Sequence, residues 1–548
     1  MNQWAQSVIT VGLVLLLAGC ATHSDRMSEA TDLIRQGDFV AAETAVEEVL
    51  SANRDRLLRL IEVGTLRHLQ GDYLVSHEQL DAADQLAHQL FAANHIDLLN
   101  RLTQHAGRTT YRGEVYERVY IHYFKLLNFL SLAAETDSPE QRRQWMDAAR
   151  VEARRAQLIL DTNLNQVGDY AQAADERGQL LHRMRDVFEV INGSLVDTRA
   201  LVFRDNAFIH YLIGSLYEQL GEIDHARVSY ERAARTYEQG YAQQYQLDPA
   251  LAGLAWFEVA RLLKRQQDPR WRSIASERLN DQQRDWLAAS DTSQVAQLLV
   301  IHEADMTGQR GELNLWMSVT QDGRRLVIRP ILTGDDLSRA YQLAWFYTLY
   351  ADRGLLMIAE RLYAEDYLGI LTSFHEKVLP LPGAVRSALE NLGLMEILQS
   401  TGVRLAVPYY QHSRSVFPQA EIRITGQPHM PLLLADSPSA HALAQHLVNA
   451  RRELSEAMAV ESLRLSLCVQ TGLPPVLCSL TAATTTRADT RAWMTLPQEV
   501  RVQRVQLEPG TYDLELNHGA GGRTRTRITL APGELQVWRV RDFVSRGK

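Results

Sequence analysis

The stretch that decides the fold of the amino-terminal half is Phe208-Ile209-His210-Tyr211-Leu212-Ile213-Gly214-Ser215-Leu216-Tyr217-Glu218-Gln219-Leu220-Gly221-Glu222-Ile223. Gly221 suits a tight turn between two helices, because glycine adopts backbone angles that other residues avoid. Small and aromatic residues follow this turn at the spacing of a second helix: Ala226, Tyr230 and Ala233. Gly214 carries no side chain and would let that second helix approach closely. The stretch therefore predicts a helical hairpin.

Two related copies of this pattern lie near the start of the chain. Gly37-Asp38-Phe39 and Gly71-Asp72-Tyr73 are 34 residues apart, and Gly64 precedes the second turn by seven residues. A 34-residue period is typical of tetratricopeptide (TPR) repeats, in which helical hairpins stack into a solenoid. We therefore predict a TPR-like α-solenoid over residues 28–290.

A solenoid of this kind presents a concave groove to its partners. The repeat register predicts that nine side chains line a partner-binding groove. In the clearest copy they are Phe208, Tyr211, Ser215, Glu218 and Gln219, and around Gly64 they are Leu58, Ile61, Thr65 and His68. The alternative is that the same faces pack against the carboxy-terminal half of the chain.

The hydrophobic pattern of the carboxy-terminal half is that of strands. A buried-strand pattern begins near Gln294, and residues 312–319 alternate between apolar and polar side chains. Residues 336–400 return to a helical pattern, which predicts a helical insert. Residues 498–541 alternate again around two Pro-Gly turns, which predicts a terminal β-meander. The predicted fold class is therefore α + α/β, with the TPR-like α-solenoid followed by a mixed α/β domain over residues 291–548.

Leu17-Ala18-Gly19-Cys20 closes an apolar run that begins at Val8. The run is too short to span a bilayer as a helix, and its small terminal residues are typical of an export signal. The sequence also resembles the bacterial lipoprotein signal, in which the cysteine becomes the acylated first residue. This resemblance implies a signal peptide over residues 1–19, a lipidated Cys20 and a tether over residues 20–27. With Ala21 after the cysteine, it implies the periplasmic face of the outer membrane; the alternatives are an ordinary secretory signal or a chance apolar start.

Three cysteines are present, and one of them is assigned to the lipid. Cys468 and Cys478 flank a Gly-Leu-Pro-Pro sequence, which we interpret as a loop between two extended segments. An exported protein can form disulfides. We therefore predict a Cys468–Cys478 bridge, with two buried free thiols as the alternative.

The sequence contains no motif that identifies a catalytic, metal or nucleotide site. The pairs His77-Glu78, His302-Glu303 and His375-Glu376 lack the second histidine of a zinc-protease helix. His302, Glu303 and Asp305 are a conceivable acid–base cluster, but without a nucleophile nearby we interpret them as surface polar residues. We therefore predict no enzyme activity, no cofactor and no metal. The net charge of −9 argues against a nucleic-acid partner.

The order of these features resembles a family of TPR-containing bacterial outer-membrane lipoproteins of unassigned biochemical function. The resemblance rests on the lipoprotein signal, on the Tyr217…Gly221 repeat and on three further motifs: Tyr116-Glu117-Arg118…His122-Tyr123, Val407-Pro408-Tyr409-Tyr410 and Trp493…Leu496-Pro497. The helical insert at 336–400 is longer than the family pattern. The resemblance implies envelope scaffolding and supplies no catalytic residue.

The leading functional hypothesis is a protein-interaction scaffold in envelope assembly or maintenance. Its expected partners are periplasmic or outer-membrane proteins, and cell-wall glycan is a further candidate. The lipid anchor would hold the protein at the membrane. The alternative hypothesis is a glycan-binding or glycan-cleaving lipoprotein with a cleft in the carboxy-terminal domain. Two carboxylates facing each other across such a cleft would favour hydrolysis.

Overall fold

The computed structural model describes residues 22–92, 109–166, 205–289, 294–350, 376–391, 393–411, 420–518 and 522–543. The predicted signal peptide over residues 1–19 and the predicted lipidation site Cys20 lie outside these residues. Helices occupy the amino-terminal part of the described chain and strands dominate from residue 296. The predicted mixture of helices and strands, in that order, is confirmed.

The helices of the amino-terminal half follow one another with short connections. They are α1 (His23–Arg26), α2 (Ser28–Arg35), α3 (Phe39–Val49), α4 (Arg56–Leu69), α5 (Tyr73–Ala92), α6 (Val115–Glu135), α7 (Pro139–Gln166), α8 (Ala207–Gln219), α9 (Ile223–Thr236), α10 (Leu251–Arg265), α11 (Trp271–Arg278) and α12 (Asp281–Ala289). Short 3-10 and π turns join some of them. Consecutive helices such as α4 and α5, α6 and α7, and α8 and α9 pack as antiparallel hairpins.

The hairpin of α8 and α9 shows why this sequence folds as it does. Asn206 caps α8, because its side-chain oxygen accepts a hydrogen bond from the Ile209 N–H at 3.0 Å. Gly221 ends the hairpin turn with φ of +74°, a conformation that favours glycine. A Cβ atom at Gly214 would lie 2.7 Å from the Tyr230 ring, so only glycine allows this approach. Both sequence expectations for these glycines are confirmed.

The carboxy-terminal half contains twelve strands and five helices in its described residues. The strands are β1 (Ala296–Ala304), β2 (Gln309–Val319), β3 (Arg325–Ile331), β4 (Lys377–Pro380), β5 (Val403–Gln411), β6 (Ala420–Ile424), β7 (Met430–Pro431), β8 (Leu433–Asp436), β9 (Glu499–Leu507), β10 (Gly510–His518), β11 (Gly522–Leu530) and β12 (Leu535–Asp542). The helices are α13 (Asp336–Tyr350), α14 (Gly383–Asn391), α15 (Met395–Ser400), α16 (Pro438–Gln470) and α17 (Pro475–Thr485).

The strands form three four-stranded sheets. Sheet 1 has the order β12-β1-β9-β8, sheet 2 the order β11-β10-β6-β7, and sheet 3 the order β4-β3-β2-β5. Strands β1 and β12 are parallel, whereas the other pairs are antiparallel. Alternate residues of β1 face opposite sides: Leu298 and Val300 join the apolar core against sheet 2, and Leu299 and Ile301 join the core of the helical half. Sheet 1 is thus the layer that unites the two halves.

Two predictions for the carboxy-terminal half are wrong in detail. The predicted helical insert at 336–400 contains β4, which is an edge strand of sheet 3. In it, Lys377 pairs with Ile328 and Pro380 pairs with Arg325 of β3. A strand with proline fits an edge, where one side of the backbone needs no partner. The predicted β-meander at 498–541 is divided between two sheets: β10 and β11 form a hairpin in sheet 2, while β9 and β12 both pair with β1.

The predicted pair Cys468 and Cys478 forms a disulfide, with Cα atoms 5.8 Å apart. It joins the end of α16 to α17, so the interpretation of two extended flanking segments is wrong. The flanking residues continue as helices because Thr471 and Gly472 make a tight helical turn and Pro475 begins the next helix. Closing a loop of this length stabilises a fold by about 3 kcal/mol in the chain-entropy view.

The first described residues pack onto the folded chain. The His23 N–H donates to Thr490 Oγ1 at 3.1 Å, the Ser24 hydroxyl donates to the Arg310 carbonyl at 2.7 Å, and Met27 is fully buried. From Thr22 onward the segment predicted as a tether therefore belongs to the fold. Among the described residues, none of the helices has the length and apolarity that crossing a membrane requires.

Candidate functional site

The predicted partner-binding groove is filled by the chain's own second half. Eight of its nine residues are buried and Gln219 is half-buried. Sheet 1 occupies the concave face of the helices, because both surfaces carry apolar side chains that are stable only when covered. The prediction of an open groove is therefore corrected, and the alternative of packing between the halves describes the structure. The residues concerned are Phe208, Tyr211, Ser215, Glu218, Gln219, Leu58, Ile61, Thr65 and His68.

The centre of this contact is a buried group of charges that we call the junction ion cluster: Glu218, Glu258, Arg261 and Arg504. Arg504 donates to Glu218 Oε2 at 2.6 Å and Arg261 donates to Glu218 Oε1 at 2.5 Å. Arg261 also donates to Glu258 at 2.7 Å. Burial alone would raise the pKa of Glu218, but Arg261 and Arg504 hold it well below its ordinary value. The cluster links α8 and α10 to β9 by paired charges.

A second contact between the halves involves the segment before β9. Glu62 on α4 accepts hydrogen bonds from the Met494 N–H at 2.6 Å and from the Thr495 hydroxyl at 2.6 Å. Glu117 on α6 accepts one from the Trp493 N–H at 3.3 Å. Desolvation by burial raises the pKa of both carboxyl groups to about 7, although these hydrogen bonds oppose the rise. Two buried glutamates of the helical half therefore hold residues 493–495.

Glu62 predicts a loss of stability as the pH rises. Its pKa is raised from 4.5 to about 7 on folding, so its contribution is fully present below pH 4.5 and is lost as the pH rises through 7. A shift of this size corresponds to about 3 kcal/mol of unfolding free energy. The unfolding free energy of the native chain should therefore decrease between pH 5 and pH 8 by about 3 kcal/mol more than that of Glu62→Gln.

Denaturant unfolding of both chains at pH 5 and pH 8 measures this difference. Groups that do not interact with Glu62 cancel, whereas the nearby Glu117 carboxylate, which helps to raise the pKa of Glu62, contributes to the difference. Exposed Glu47→Gln on α3 is the matched control and should follow the native chain. Parallel pH profiles of Glu62→Gln and the native chain would contradict the raised pKa.

The histidine and carboxylates at the end of β1 are buried, so their interpretation as surface residues is wrong. His302 Nε2 lies 3.0 Å from Asp542 Oδ2, and Glu303 accepts a hydrogen bond from the Tyr123 hydroxyl at 2.7 Å. They face opposite sides of sheet 1, which is covered on both faces. Because adjacent strand residues point in opposite directions, His302 and Glu303 do not form one acid–base site.

One group of described residues has the composition of a metal site but already holds cations. His77, Asp81 and Glu152 offer ligand atoms within 4.8 Å of one another. The buried Lys125 Nζ lies 2.8 Å from Asp81 and 3.0 Å from Glu152, and Arg155 lies 3.0 Å from Glu152. These ammonium and guanidinium groups neutralise both carboxylates. The group is therefore an ion-pair network, and a divalent metal does not fit it.

The candidate site is a cavity of about 370 Å³ between the two halves, which we call the junction cavity. Its walls come from the segment before α6, the start of β2, the middle of α16 and the segment after α17. Its charged lining is balanced, with five basic and five acidic side chains: Arg112, Arg310, Arg452, Arg464, Arg487, Glu114, Glu453, Glu456, Glu461 and Asp489. Apolar side chains such as Val460 and Pro408 complete the wall.

The acidic residues of the junction cavity differ in their pairing. Glu114 pairs with Arg310 at 3.1 Å, and Glu461 pairs with Arg464 at 2.6 Å. Glu453 Oε2 has no hydrogen-bond partner among the described residues, and its nearest histidine atom, His446 Nδ1, lies 3.8 Å away. Burial raises the pKa of Glu453 to about 7, although Arg310 and Arg452 oppose the rise. Among the described residues, the Oε2 atoms of Glu453 and Glu461 are therefore lining carboxylate oxygens with unused hydrogen-bonding capacity.

Sequence reasoning missed the junction cavity. The periodicity of residues 439–467 is that of a long amphipathic helix, which the structure shows as α16, but charged residues on such a helix ordinarily mark a solvated face. The available signal was the mixed charge of Arg452, Glu453, Glu456, Glu461 and Arg464 on a helix that also carries a buried face.

In the comparisons with known proteins, the chain matches no family model, no curated protein and no solved structure.

Proposed function

We propose that this chain is a lipid-anchored scaffold of the bacterial envelope, exposed to the periplasm at the outer membrane, that binds a peptide segment of a partner protein in the junction cavity. Its helical half is a TPR-like solenoid wrapped around its own strand-rich half. The 34-residue spacing of Gly37 and Gly71, both with positive φ, supports the TPR assignment. The proposed partner site is therefore the junction cavity and not the covered groove.

The observation that carries this proposal is the balanced charge of the cavity lining. A peptide segment presents backbone donors and acceptors together with charges of both signs, which such a lining complements. Glu453 is an acidic group of the lining, and Arg452, which is exposed and donates to Asn449 at 3.1 Å, is a basic one. The apolar wall at Val460 and Ala457 would accept the aliphatic parts of the segment.

The lining favours a peptide over a glycan. Sugar sites commonly use aromatic faces, and among the described lining residues only Tyr111 is aromatic. Its hydroxyl donates to both oxygens of Glu117 at 2.8 Å, and the guanidinium of Arg491 lies 5.5 Å from its ring centre. Two of the lining carboxylates, Glu114 and Glu461, are also held in ion pairs, at 3.1 Å to Arg310 and 2.6 Å to Arg464. We therefore propose a binding role without catalysis.

The site of binding is tested by photo-crosslinking in cells. A photoreactive phenylalanine replaces Asn449, which lines the cavity, or Val228, which is exposed on α9 and serves as the control. We expect Asn449 to capture a recurrent protein segment that Val228 does not capture. Arg452→Glu should reduce this capture about tenfold, because like charges replace opposite ones. The matched charge reversal Arg386→Glu on α14 should leave it unchanged.

Capture that is equal at both positions, or that Arg452→Glu leaves unchanged, would contradict the cavity as the partner site. Captured wall glycan in place of protein would support the alternative function.

The anchor is tested separately: Cys20→Ser should move the protein from the membrane fraction to the periplasmic fraction, and the mass of the native amino-terminal peptide should show the acyl groups.

A further inference from the structure

The region around the disulfide has an unusual composition. From Leu465 to Thr486, between Arg464 and Arg487, the chain contains 22 residues without a charged side chain. The segment includes the end of α16, the turn and the whole of α17. A surface turn of an exported protein ordinarily carries charged residues, because they keep the surface soluble.

The turn exposes large apolar side chains. We call Leu467, Leu473, Val476 and Leu477 the apolar tip, and each of them is between 46% and 56% exposed. The Cys468–Cys478 disulfide holds the turn closed, so these side chains are fixed outward at the end of a helical hairpin. Other exposed apolar residues, such as Val40 and Val228, stand singly on the helices of the other half. A rigid apolar end of this kind marks a contact site.

The first described residues of the chain contact the segment that follows α17. His23 binds Thr490, which follows α17 by five residues. The eleven residues of α17 span about 16 Å, so the apolar tip lies within about 35 Å of this point. Cys20 precedes Thr22 by two residues, a reach of about 7 Å. An anchor at Cys20 would therefore place the tip within about 42 Å of the lipid surface.

We propose that the apolar tip inserts into the lipid surface to which the amino terminus is anchored, and so fixes the orientation of the protein. This inference rests on the proposed lipid anchor. Inserting the tip transfers no charged group from water, because residues 465–486 carry none. A second copy of the chain is a weaker fit, because a stable dimer contact uses about 20–30 residues a side and the narrow tip has far fewer.

The experiment places a fluorescent probe in the tip. The chain from residue 20, with Cys20→Ser and an amino-terminal hexahistidine tag, is bound to phosphatidylethanolamine–phosphatidylglycerol vesicles that contain a nickel-chelating lipid. Leu473→Trp is the probe, and Val228→Trp, with similar native exposure, is the matched control. Brominated lipids quench only tryptophan that enters the acyl region. After subtraction of the eight native tryptophans that follow residue 20, we expect at least twofold quenching for Leu473→Trp and none for Val228→Trp.

Equal emission of Leu473→Trp in brominated and plain vesicles would overturn the proposal. A blue shift of its emission that depends on protein concentration without vesicles would also overturn it, because the tip would then bind a second copy. Adding Leu477→Glu to the probe should abolish the quenching. Because the tag supplies the tether, a failure of lipidation at Cys20 would count against the proposed function and not against the tip.

Discussion

Replacing Arg504 by methionine is expected to lower the free energy of unfolding by about 3–5 kcal/mol. The Arg504 side chain is fully buried and donates to Glu218 and to Gln297 at 2.6 and 2.8 Å. It also lies 3.4 Å from Glu258. Without it, Arg261 alone would face two carboxylates in a region that water does not reach. The loss would therefore come mainly from an uncompensated buried charge.

Guanidinium chloride unfolding followed by circular dichroism measures this effect. Arg527→Met is the matched control, since Arg527 pairs with Asp513 at 2.6 Å on the exposed face of β11. That pair is solvated, so its loss should leave the unfolding midpoint close to the native value. Equal midpoints for the two variants would show that the junction ion cluster does not stabilise the contact between the halves.

Replacing Trp493 by alanine is the second substitution with a large expected effect, about 3–5 kcal/mol. Trp493 is 1% exposed, and its indole N–H donates to Thr65 and Thr495 at 3.2 and 3.0 Å. Its ring lies 5.9 Å from that of Phe124 on α6. Alanine would leave a cavity between the helical half and the segment before β9, and it would also remove the donor to Thr65.

The same unfolding measurement tests this prediction. Trp493→Phe keeps most of the ring volume and loses the N–H, so it should cost about 1 kcal/mol. Trp271→Ala on α11 is the control for loss of a tryptophan outside the junction, because that ring is only half-buried. A destabilisation by Trp493→Ala no larger than that of Trp271→Ala would contradict the role of Trp493 in joining the halves.

Local features of the sequence predicted local features of the structure. The turn at Gly221 and the close approach at Gly214 depend on residues within one hairpin, and both could be derived from spacing alone. The Cys468–Cys478 disulfide joins two cysteines that are only ten residues apart in the sequence. The long helix α16 was visible in its periodicity.

Features that depend on distant residues could not be predicted. β12 lies beside β1, and the register that pairs Val300 with Trp538 joins positions more than 200 residues apart. Nothing in the alternation of β9 to β12 distinguishes this arrangement from a meander. Likewise, the repeat register predicted a shared face for Tyr211 and Glu218, but a register does not indicate what covers a face.

The junction cavity illustrates the same limit. Its walls combine Glu114, Arg310, Glu453 and Asp489, which belong to four separate segments of the chain. Each charged residue has an ordinary interpretation in its own segment. Only the packing of the two halves brings these side chains around one space and leaves Glu453 without a hydrogen-bond partner among the described residues.

The parallel pairing of β1 with β12 also has a consequence for how the chain is made. Ribosomes synthesise the polypeptide from its amino terminus, so the helices emerge well before β9 and β12. Until those last strands arrive, β1 has neither neighbour and the concave helical face remains uncovered. Contacts over such long sequence distances form slowly. A chain interrupted near residue 495 should therefore be degraded, which pulse-chase labelling would reveal.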